Sequence, residues 1–180
     1  MTLFHGLGPF AASGLGGSFE FITSSTFSAA SSVSIDNCFS ARYDHYMLTR
    51  NCSASSAGFN ISARLRAGGV DSSTGYRYQY QQSDGSTITA GRSTTATAFD
   101  ALLGYPQATA FGFVVAFVSL PFAAVRTTAW SQSSSAASGS IVLLAFNYAH
   151  DTAASYDGLT LLPSGGTTIT GSVAIYGVVN

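Results

Sequence analysis

The chain contains no lysine. Its formal positive charge comes from seven arginines, and its eight acids are seven Asp and a single Glu. Charged residues make up 8% of the sequence, against roughly 25% in an average globular protein. Without Lys, and nearly without Glu, a helical surface has few of its usual builders. A net charge of −1 offers no basic patch for a phosphate backbone, so nucleic-acid binding is not expected. No apolar stretch reaches the ~18 residues of a spanning helix. The longest candidate, TAFGFVVAFVSLPFAAV, is interrupted by Ser119 and Pro121, and membrane insertion is not expected. The N-terminal segment also lacks the basic start of a secretory signal.

Metal and catalytic signatures are missing too. Cys38 and Cys52 form no CxxC pair, and His5, His45 and His150 show no ligand spacing. The two cysteines read as buried free thiols or as a cross-strand pair, the former favoured in a reducing cytoplasm. No GxSxG elbow or phosphate loop occurs. The aspartates stand mostly beside Gly, Ser, Asn or Thr, where capping and turn roles account for them. The expectation is a chain that is not an enzyme, with no cofactor and no metal.

Ser, Thr, Gly, Tyr and Phe dominate instead, which is the chemistry of strands and turns. At 180 residues the chain suits one domain with an arm. Residues 1–17 carry five glycines and one proline with no period, and read as an irregular N-terminal anchoring arm. Its Phe4, Leu7, Phe10 and Leu15 are candidate contacts to a neighbouring subunit. Residues 18–180 read as a single β-sandwich of about ten strands.

Period-two alternation carries that reading. Phe19 and Phe21 share a face, as do Val33 and Ile35, with Phe39 beyond them. In GFNISARLRA, Phe59, Ile61, Ala63 and Leu65 point one way, and Asn60, Ser62, Arg64 and Arg66 the other. Arg64 and Arg66 are therefore candidate interface donors. In GYRYQYQQ, Tyr76, Tyr78 and Tyr80 share a face that is either an interface or core. SDGS at 83–86 is a hairpin turn with Asp-Gly at its centre. TAFDALLG (97–104) is the one candidate helical turn, closed by Gly104. Residues 110–120 and 140–149 are apolar on both faces, which predicts central strands covered on both sides. The segment between them, VRTTAWSQSSSAASGS, reads as a strand running into a loop. The final segment, Asp157–Asn180, reads as two strands about a Pro-Ser-Gly-Gly turn, so the C-terminus is tied into a sheet. An apolar fraction of 46% with so little charge points to a surface covered by copies of itself or by a larger assembly.

Several stretches together resemble a module of tailed-phage virion proteins. They are SFEFIT, SSVSIDNCFSARYDHYMLTRNCSAS, FNISARLRAGG and YRYQYQ, then IVLLAFNYAHDTAASY and the closing YDGLTLLPSGGTTITGSVAIYGVVN. The resemblance covers residues 18–180 and rests on strand and turn residues. It implies a jelly-roll-like antiparallel β-sandwich, commonly homotrimeric, with no catalytic residues to carry over. It also implies synthesis in the bacterial host cytoplasm and a place on the virion surface, against major capsid or tail proteins. Tail fibres carry long N-terminal shafts, whereas this sequence opens on a short arm. A capsid decoration or cement subunit is therefore the leading expectation. A tail-associated domain recognising host surface glycans is the alternative.

Overall fold

A computed structural model describes residues 18–54, 60–105, 112–137 and 140–179. The arm residues Phe4, Leu7, Phe10 and Leu15, and Phe59, lie outside the described residues. The described chain is all β. Its strands are β1 (Phe19–Ala30), β2 (Val33–Ile35), β3 (His45–Ala54), β4 (Ile61–Ala67), β5 (Val70–Asp71) and β6 (Tyr76–Asp84). They continue as β7 (Thr87–Ala96), β8 (Phe113–Ser119), β9 (Thr127–Ala137), β10 (Ser140–His150), β11 (Gly158–Pro163) and β12 (Ile169–Val178).

An eight-stranded sheet has the order β1-β12-β3-β8-β9-β10-β6-β7, and a four-stranded sheet the order β2-β11-β4-β5. Every pairing is antiparallel. Eight of the strands nest as in a jelly roll: β1 pairs with β12, β2 with β11, β3 with β8 and β4 with β5. Two added hairpins, β6–β7 and β9–β10, widen the larger sheet beyond β8. The jelly-roll-like sandwich expected from the sequence is the fold.

The alternating patterns become the core. Ile61, Ala63 and Leu65 of β4 face Leu48, Val114, Ala116, Val173 and Ile175 of the large sheet within one buried cluster. Cys38 and Cys52 are both buried and unpaired with each other. Burial pushes the Cys38 thiol up to about 12, so it stays protonated and inert. The last strand, β12, lies between β1 and β3, which is why an apolar C-terminal segment is held.

Three local expectations are corrected. The register Asp84↔Thr87 makes Gly85-Ser86, not Asp84-Gly85, the two-residue loop of the β6–β7 hairpin. Gly85 takes φ +59°, which suits a loop opening on glycine. Residues 97–104 form no helix. Instead this segment bonds along β4, with Ala63 and Phe99 exchanging N–H···O bonds and Leu103 N–H donating to Ile61 O. Only Gly104 N–H to Ala101 O is a local turn bond. Here β4 offers a free edge, and pairing with it outweighs a lone turn. The Ser/Ala segment after Trp130 is strand, not loop. Its Ser131, Ser133 and Ser135 face inward, and small side chains let residues 99–104 approach closely.

Candidate interaction surface

The buried residues of each strand identify the inner face of the large sheet, and the register identifies the side chains that share its outer face. One row of directly opposed residues runs Phe21–Tyr176–Met47–Phe117–Trp130 across five strands. The rings touch: Phe21 lies 5.7 Å from Tyr176, and Phe117 lies 5.9 Å from Trp130 and 6.4 Å from Phe19. Aromatic neighbours on a sheet face stabilise the pairing by roughly 0.2–1 kcal/mol each. They leave their outer surfaces open.

A second apolar group lies further along the same face. Phe113 is 67% exposed, Ile88 68%, Ile141 66% and Leu143 47%. Phe19 and Phe21 are 50% and 57% exposed. The two doubly apolar runs are thus central strands, as expected, but among the described residues only their inner sides are covered. Phe113, Val115 and Phe117 of β8, and Ile141, Leu143 and Ala145 of β10, form the uncovered side. Alternation within such a run is invisible in sequence because both faces are apolar.

The polar groups singled out from the sequence are mostly engaged inside the chain. Tyr76 is fully buried. Its O–H donates to Ser72 O (3.0 Å) and accepts from Leu65 N–H (2.8 Å), and its ring packs edge-on to Phe99 and His150. Tyr76 is core, and the interface reading for it is corrected. Tyr78 and Tyr80 share its face, half-buried against Phe146. A Cβ at Gly91 would lie 2.6 Å from the Tyr80 ring, so that ring rests on bare backbone of β7. Arg66 is held by Asp36 (2.8 Å), Asp71, Thr160 and the Gly69 carbonyl. These acids raise its pKa, Asp36 foremost. Arg64 donates to Thr97 O at 3.0 Å and pins the 97–104 segment. Both arginines close this chain on itself, which corrects their assignment as free interface donors.

His150 is the buried histidine of the core. Its Nε2 lies 3.0 Å from Thr74 O and from Ser72 Oγ, and its Nδ1 3.3 Å from Tyr156 OH. Burial lowers its pKa below the usual 6.5. Among the described residues no cluster of three or more His, Cys, Asp or Glu is arranged to hold a metal. No helix among them is long and apolar enough to cross a membrane. On the β6–β7 flank a shallow depression of about 260 Å³ is lined by Arg77, Gln79, Arg92 and Asn147 among others. Arg77 is paired to Asp151, as is Arg126.

The sequence-based choice therefore missed Met47, Phe113, Phe117, Trp130, Leu143 and Tyr176. The available signal was the excess of apolar residues over what one core face needs. No family model, no curated protein and no solved structure matches the chain.

Proposed function

We propose that the chain is a non-enzymatic structural subunit of a tailed-phage virion, seated on the particle surface as a capsid decoration or cement protein. The observation that carries this reading is the uncovered apolar outer face of the large sheet. Large exposed apolar side chains gathered on one face mark an interaction site. Aromatic and Met side chains without charge are the composition of an interface centre. The low charge of the whole chain and its resemblance to virion modules support an interface within an assembly of copies and capsid proteins. Residues 1–17, with Phe4, Leu7, Phe10 and Leu15, would supply a second anchor.

The alternative is a tail-associated domain that grips host glycans. It is favoured by the Arg77–Gln79–Arg92–Asn147 depression, whose amides and guanidinia suit sugar hydroxyls. Gold-labelled antibody to the chain, imaged on purified particles, separates the two. Label over the head supports decoration, label at the tail supports receptor binding, and unlabelled particles overturn both.

A further inference from the structure

We infer that the outer face of the large sheet pairs with the same face of a second copy, about a two-fold axis beside Val115 of β8. This rests on the structural-subunit reading above and names one partner of that surface. Position comes first. β8 is the fourth of eight strands, and its outward side carries Phe113, Val115 and Phe117 in succession. Apolar side chains extend from it both ways, to Met47, Tyr176 and Phe21 on one side and to Trp130 and Leu143 on the other.

Size comes second. Eight strands at ~4.8 Å spacing, each showing about seven residues at ~3.3 Å, give a face of roughly 900 Å². Two-thirds overlap buries roughly 1,200 Å² over both copies, the lower end for a stable specific interface. An interface of that size suits a reversible dimer rather than an obligate one.

Charge bears on the partner, and the facing side chains set the orientation. The outward sides of β1, β12, β3, β8, β9 and β10 carry no Asp, Glu or Arg among the described residues. A face without charge gives a charged partner nothing to pair with, whereas a second copy meets it apolar side against apolar side. Arg77 and Arg92 stand on the β6–β7 flank. An axis across the strands at that level would set Arg77 over the β6–β7 turn of the partner subunit, and Trp130 over Ser134 of the partner subunit. An axis along β8 instead sets Arg77 over Phe19 of the partner subunit, and Trp130 over Met47 of the partner subunit. Cation–π and sulfur–aromatic contact favour the axis along β8.

The test combines sedimentation velocity of the full chain with spin-label distances. Cys38 and Cys52 are buried, so labels attach at introduced positions. The expected result is a monomer–dimer equilibrium that Phe117→Ser weakens at least ~10-fold, in the range of interface hot spots. Phe117 faces outward, so that variant stays folded and loses only the modest stability of its ring contacts to Trp130 and Phe19. Labels on Val115→Cys should lie within about 20 Å across the axis, because packed sheets sit ~10 Å apart. Labels on Ile88→Cys should lie about 40 Å apart, because β7 is four strands from the axis on each copy. A trimer, distant Val115→Cys labels, close Ile88→Cys labels, or a dimer indifferent to Phe117→Ser each overturn the inference. A native chain that stays monomeric yet labels particles overturns it and leaves the structural-subunit reading standing. A monomer that labels no particle overturns both.

Discussion

At the scale of single residues, two buried polar groups hold the sandwich together. Tyr76 OH bridges Leu65 N–H at the start of the four-stranded sheet's edge hairpin to Ser72 O in the loop that follows. Tyr76→Phe leaves both backbone groups unpaired in a dry site, at about 1–3 kcal/mol. At roughly 2–4 °C per kcal/mol for a chain of this size, calorimetry should show the drop in Tm. His150 makes a pH-dependent contribution. Burial holds its pKa below 6.5, so the folded chain binds fewer protons than the unfolded chain. Its contribution is complete above the unfolded value of about 6.5 and is lost as pH falls through the lower folded value. Urea midpoints should decline from pH 7.5 to pH 5, and His150→Gln should flatten that slope.

At the scale of elements, strands with one wet face were legible and those with two dry faces were half legible. Ile61, Ala63 and Leu65 against Ser62, Arg64 and Arg66 could be read directly, because alternation separates core from surroundings. The central runs 110–120 and 140–149 gave strands but not the state of their second face, since covered and uncovered apolar faces are written alike. The 97–104 segment was misread because its partner, the edge of β4, is distant in sequence. Arg66 was misjudged because Asp36, Asp71 and Thr160 converge on it from separate elements. The β12 strand carries its own test. Gly171 has φ +144°, and a Cβ there would lie 2.2 Å from Asn51 O and 2.5 Å from Cys52 Cα. These are backbone atoms of β3 that cannot swing aside. Gly171→Ala should therefore destabilise the chain by more than the ~1 kcal/mol of a typical substitution. Gly166→Ala, in the open β11–β12 turn, meets no atom and should cost about 1 kcal/mol through its positive φ alone.

At the scale of the whole molecule, the account turns on an imbalance. A jelly roll needs one buried side per sheet. This chain closes its core with inward side chains and still carries Phe, Trp, Met and Leu along the outside of its larger sheet. The two extra hairpins extend that outer face as well as the core, to which they add Tyr76, Ala129, Leu144, Phe146 and Tyr148. Without lysine or glutamate on it, the face is disposed toward neighbours rather than water. Under the proposed function, packing between subunits would account for the composition that sets this sequence apart.

The chain supplies its own reporter for that claim. Trp130 is the single tryptophan and sits in the outer aromatic row beside Phe117. Acrylamide quenching of Trp130 fluorescence, followed from nanomolar to high micromolar chain, tests the account most directly. It predicts that quenching falls several-fold and the emission shifts to the blue as concentration rises, while Phe117→Ser remains quenchable throughout. Quenching that is unchanged across that range in the native chain would contradict it.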